Sequence, residues 1–135
     1  MYKATILSSV ILGIFILTSS FFQKFELPKS IERGKELYAT YCVNCHMADG
    51  NGTDIFPPVA KADYLKKPVK TLINIILEGQ SGEIMVNKKK YDALMPAQPY
   101  LEDEQIADVL NYVRNSLGNK IPVAITPAQV KALRK

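Results

Sequence analysis

Two cysteines and a histidine fall within five consecutive residues, Cys42, Val43, Asn44, Cys45 and His46. This is the C-x-x-C-H order, in which two thiols three positions apart can add to the two vinyl groups of a haem as thioethers. The imidazole that follows is placed to bind the iron from the same side. The chain has no other cysteine and no other histidine, so no second use of these groups competes. A structural zinc site wants four Cys or His ligands and finds three here. A thioredoxin-like pair would open a helix behind a strand in a βαβ pattern, whereas these cysteines close a helix in a chain that reads as all-α. The expected cofactor is one covalent haem c on Cys42 and Cys45, with His46 on the iron.

The second axial ligand must lie elsewhere, and it is not histidine. Methionine is the natural candidate. Met1 stands in an apolar leader and Met47 adjoins His46 on the same side of the ring, which leaves Met85 and Met95. Met95 is the expected ligand, because it precedes Pro96 in a long irregular stretch that can present sulfur without competing for helical hydrogen bonds. Met85 is the alternative, and core filling is the commoner fate of either. With both axial positions occupied the iron has no room for substrate, so the chain reads as a single-electron carrier and not an enzyme. The rival is a haem enzyme or gas sensor with an open sixth site. Neutral sulfur in an apolar pocket favours the less charged ferrous iron, so the potential should exceed that of a bis-histidine haem.

Three helical stretches and long loops must position these groups. The first helix is expected to begin near Ser30, a good N-cap, and to run through Leu37, Tyr38 and Tyr41 to the cysteines. Residues 47–58 are rich in Gly, Asn, Asp and Pro and read as loop. A second helix over 69–77 carries Leu72, Ile73, Ile76 and Leu77 on one face and ends at Gly79. In the third, Ile106, Val109, Leu110, Val113 and Leu117 keep helical spacing, acids crowd the first turn and Gly118 supplies the stop. Residues 80–100 form a connection too long to be a simple turn. Three short helices make a meagre core, and a large apolar group at the centre would make up the shortage.

The leader differs from the rest: between Lys3 and Lys24 there is no charge, and residues 6–17 are almost wholly apolar. The span 4–23 reads as an export segment, either a signal peptide removed after Thr18, Ser19 and Ser20 or a membrane anchor that is kept. The chain thus divides into a signal peptide or anchor over 1–22 and one domain over 23–135. Covalent haem attachment in bacteria is expected outside the cytoplasm, which agrees with export. At 135 residues, 47% hydrophobic and 22% charged, the chain is a single globular domain. The formal charge of +4 is mild and falls by one without Lys3. Its basic residues are interspersed with acids, which gives nucleic-acid or lipid binding little support. The densest cluster, Lys88, Lys89 and Lys90, reads as a solvated loop.

Beyond CVNCH, three stretches resemble a class I c-type cytochrome: NGTDIFPPVAKADYL its post-haem loop, EGQSGEIMVNKKKYDALMP its distal loop, and LEDEQIADVLNYVRNSLGN its C-terminal helix. The likeness runs from about residue 32 to 119 and is to the small single-haem domains that accompany bacterial dehydrogenases and respiratory oxidases. It implies a cytochrome c-like fold of three main helices around one haem. It also implies that Pro57 gives its carbonyl to the free ring nitrogen of His46, and that Gly34 lets the first helix cross closely against the last near Tyr112. Val59 and Tyr64 would line the haem or the core. The implied partners are a dehydrogenase or terminal oxidase, met as a diffusing shuttle or as a permanent subunit, in the periplasm or on the outer face of the cytoplasmic membrane. Lys61 departs from the family, which often has glycine there, and so does Glu102, where Ser or Thr is the usual cap.

Overall fold

The computed structural model describes residues 25–135, and the leader expected over 1–22 lies outside them. Helix α1 spans Leu27–Tyr41, and a single turn α2, Val43–His46, follows it directly. A 3-10 turn at Asp63–Lys66 leads to α3, Val69–Glu78. Strands β1, Ile84–Val86, and β2, Lys89–Tyr91, come next, then α4, Asp103–Asn115, and α5, Pro127–Lys131.

The frame is the packing of α1 along α4. Gly34 makes it possible: a Cβ there would lie 2.6 Å from the Asp108 carbonyl carbon and 2.7 Å from Tyr112 Cβ, so only a hydrogen admits this approach. Apolar residues at helical spacing on α4 turn Ile106, Val109, Leu110 and Val113 into the core, where Leu72, Ile73, Ile76 and Leu77 of α3 meet them.

Several local expectations are corrected. Helix α1 starts one turn before Ser30, because Pro28 in its first turn needs no N–H partner there. Ser30 is instead fully buried: its hydroxyl donates to Asp108 at 2.6 Å and accepts from Asn111 Nδ2 at 2.9 Å. Arg33 closes the network on the same carboxylate, with its Nε 2.6 Å from Asp108 Oδ2. Glu102 does begin α4, its backbone N–H held by Gln105 Oε1 at 2.9 Å. The helix ends before Gly118, with Leu117 and Gly118 turning left-handed after Ser116.

The connection over 80–100 is not plain loop. Ile84, Met85 and Val86 pair antiparallel with Tyr91, Lys90 and Lys89. Asn87 and Lys88, both at positive φ, make the two-residue turn that matches the natural twist of a hairpin. So only Lys88 of the lysine cluster lies in a turn, while Lys89 pairs with Asp54 at 3.0 Å and Lys90 with Glu83 at 3.0 Å. Reciprocal bonds between Asp63 and Asn87, 3.0 and 2.8 Å, tie the hairpin tip to the 3-10 turn.

A fifth helical element, α5, lies beyond the three expected. Thr126 caps it, and Ile125 and Val130 are fully buried beneath it.

Replacing Gly34 by Ala forces α1 away from α4. Urea unfolding should show a loss of about 1–3 kcal/mol, the usual cost of overpacking a tight interface, and an unchanged midpoint would contradict the role given to this crossing.

Candidate haem site

Helix α1 delivers the cysteines. Its last turn ends at Cys42, whose N–H still bonds Tyr38 O at 3.0 Å, and the chain re-enters helix at once so that Cys45 and His46 both donate to Cys42 O, at 3.2 and 2.9 Å. Thiols and imidazole are thereby held on one short rigid turn. Burial first, and then Cys45, pushes the Cys42 thiol up to about 11, so it is neutral in this apolar wall.

His46 Nδ1 lies 2.9 Å from the carbonyl oxygen of Pro57. A carbonyl can only accept, so Nδ1 carries the hydrogen and Nε2 keeps its lone pair. Burial pulls the His46 pKa below its ordinary value and outweighs the opposite pull of the Pro57 bond, which keeps the ring neutral. A neutral imidazole with Nε2 bare is the form that binds a metal. The loop that carries Pro57 is itself pinned: Thr53 N–H bonds Phe56 O at 2.9 Å, and Asn119, beyond the end of α4, reaches back to Val59 O at 2.8 Å. Tyr38, expected only as part of the first helix, donates its hydroxyl to Met47 O at 2.8 Å and fixes the turn after the histidine.

These groups border a cavity of about 470 Å³. Its walls come from α1, the post-histidine loop, α3, the hairpin and α4, and none of the residues lining it is Asp, Glu, Lys or Arg. Cys42, Cys45 and His46 stand on its edge; so do Val59, Tyr64 and Met95. Met85 does not: it is half exposed on β1. Met47 is also off the cavity, at the positive-φ residue that ends α2. The set of donors and the apolar walls fit a haem: two thiols and a bare imidazole nitrogen on one element, a thioether on another, and no charge between. Among the described residues there is no cluster of three or more His, Cys, Asp or Glu arranged for a metal ion.

The rim carries the residues that sequence reading missed. Tyr100 and Leu94 are about two-thirds exposed at the mouth, and the Tyr41 and Tyr100 rings meet at 6.1 Å. Exposed apolar residues carry no periodic signal in the sequence, and only the position of the cavity makes them notable.

The family model for Cytochrome c matches residues 31–117. The chain is 36% identical over 110 residues to cytochrome c-552 of Thermus thermophilus, which covers 75% of this chain and 83% of that protein. It is 37% identical over 105 residues to the cytochrome c subunit of a quinone alcohol dehydrogenase from Gluconacetobacter polyoxogenes, covering 75% of this chain but 22% of the relative. The cytochrome c subunit of gluconate 2-dehydrogenase from Pantoea cypripedii is 34% identical over 109 residues, with 24% of its length covered.

The double variant Cys42→Ser, Cys45→Ser removes both thiols. Haem should stay with the native chain through denaturing electrophoresis and be wholly lost from the variant; haem staining in the variant band would refute attachment at these positions.

Proposed function

Because the chain belongs to the cytochrome c family, electron-transfer proteins that hold haem c covalently, we propose that its iron is bound by His46 and Met95 and that it carries single electrons outside the cytoplasm. Haem supplies reversible one-electron exchange at iron. The chain's own part is to fix two ligands, exclude water and present an edge to partners. The observation that carries the ligand assignment is that Met95 borders the same cavity as His46 while Met85 and Met47 do not.

The donor set accounts for the chemistry expected of a carrier. His46 offers a bare Nε2 because Pro57 takes the Nδ1 hydrogen, and Met95 offers a neutral sulfur on a partly buried segment packed against the core. Charge stays off the lining, so the environment favours the less charged oxidation state and raises the potential. Little charge in the pocket must reorganise when an electron arrives, because the side chains there are mostly apolar and none is Asp, Glu, Lys or Arg.

Relatives named as cytochrome c subunits of dehydrogenases support a redox-partner role in a dehydrogenase-linked or respiratory chain. Export rests on the uncharged span 4–23, with 1–22 as signal peptide or anchor and 23–135 as the cytochrome domain. No helix among the described residues is long and apolar enough to cross a membrane.

Met95→Ala should keep the covalent haem, admit carbon monoxide to the sixth position and erase the weak long-wavelength band of sulfur on ferric iron. Its potential should drop by roughly a tenth of a volt or more, within the ~0.8 V that axial ligands span. Met85→Ala should change none of these, and the reverse result would move the ligand to Met85.

Mass spectrometry of protein from its native host tests export. A mature chain starting near Phe21 marks a cleaved leader and an intact Met1 an anchor, whereas holoprotein confined to cytoplasm would overturn both.

A further inference from the structure

Where Met95 is fixed, the backbone comes unusually close to the end of another element. Helix α3 stops at Gly79, whose φ of 79° lies in the left-handed region. A Cβ on Gly79 would stand 2.6 Å from Met95 O and 2.9 Å from Ala97 N, distances no real Cβ keeps to backbone. Gln80 and Met95 then exchange both backbone hydrogen bonds, each at 2.9 Å. Gln98 N–H completes the contact with a 2.7 Å bond to Ile76 O, a carbonyl of the last turn of α3 that lacks a helical partner.

We propose that Gly79 is a positioning residue for the distal ligand, the open point of a backbone seat on the C-terminus of α3 that sets the depth at which Met95 sulfur enters the haem cavity. The inference rests on Met95 being the ligand. Its physical basis is that three backbone bonds from Gln80 and Ile76 hold the Met95 segment in register, and that nothing but hydrogen fits between that segment and residue 79. A methyl group there pushes the ligand's backbone outward, and the bonds that would resist the push are the ones it breaks. Iron–sulfur bonding is sensitive to such a displacement because the opposite ligand cannot follow it: His46 is held by Pro57 on a separate loop.

Gly82 supplies a matched control. Its φ of 81° also lies in the left-handed region that an L residue rarely adopts, yet a Cβ there meets nothing within 4 Å. Gly79→Ala and Gly82→Ala are therefore compared as full-length holoproteins by the ferric sulfur band, the midpoint potential and carbon monoxide binding. Gly79→Ala should lose the band, shift to lower potential and bind carbon monoxide with its thioether haem intact. Gly82→Ala should keep the native spectrum, potential and inertness. Retention of the band and the potential in Gly79→Ala overturns the inference, as does an equal loss in both variants, which would assign the effect to strain. If Gly79→Ala does not accumulate, Gln80→Pro removes the N–H given to Met95 O while leaving Gly79 in place, and a native spectrum in that variant also overturns it. Met95→Ala runs alongside: a sulfur band that survives there shows that the ligand reading itself has failed, whereas its loss there with an unaltered Gly79→Ala defeats the seat alone.

Discussion

The contact on which the rest of the molecule depends is the crossing of α1 over α4 at Gly34. It fixes two things at once. The end of α1 determines where the two thiols and the imidazole stand, while Val109, Leu110 and Val113 of α4 form the wall they face. A shift at the crossing would change the width of the cavity, because both of its boundaries are continuous with it. The buried polar network beside Gly34 explains why the crossing has one register. Ser30, Arg33, Asp108 and Asn111 satisfy one another across the two helices, and sliding by a turn would leave a carboxylate buried without donors, at a cost of several kcal/mol. Apolar contacts alone would tolerate such a slide far better.

The two sides of the cavity are built by different means. Covalent chemistry and a helical turn hold the histidine side, so its geometry is set by the local chain. The methionine side is held by backbone bonds between residues distant in sequence: Gln80 with Met95, Ile76 with Gln98, and Asp63 with Asn87 at the hairpin tip. Each of these contacts must offset the entropy of closing the segment between its partners. A haem attached early would give the distal segment an apolar surface to close upon.

The sequence made the chemistry legible because C-x-x-C-H ties cofactor, attachment and one ligand to five adjacent residues. Helices α3 and α4 were equally plain, since a buried face at helical spacing is a strong signal. Ser30 misled because a serine before an apolar run looks like a cap; what decided the start was Pro28, together with a partner, Asp108, that lies far along the chain. The hairpin was hidden because strands of three residues have too short a pattern to read, and its turn uses Asn-Lys where Asn-Gly is the usual signal. Lys61 looked like a departure from the family's glycine, and it adopts a left-handed conformation that favours glycine, at φ 47°, with its N–H bonded to Leu117 O at 3.1 Å. The tertiary contact outweighs the local strain, which is of order 1–3 kcal/mol at such a residue.

The tail shows how a domain can extend its family's frame. The family match ends at residue 117, yet Ile125 and Val130 beyond it are fully buried, contributing roughly 1.5–3 kcal/mol each. The attachment is also directional. Asn111 binds both backbone groups of Ile125, at 2.8 Å each way, and Arg134 bonds Asp103, Pro99 O and Leu101 O around the start of α4. Both ends of the tail's grip therefore fall on α4, the element that supplies one cavity wall and one half of the crossing. Arg114 joins it from within α4, giving Nη1 to Val123 O at 2.8 Å while its Nε is buried without a partner. A guanidinium placed there is costly, and burial lowers its pKa below the ordinary value. The tail's other contacts on α4, the buried Ile125 and Val130 and the bonds of Arg134, must offset that cost, so removing the tail strips these contacts from the helix that forms the cavity wall while it returns Arg114 to water.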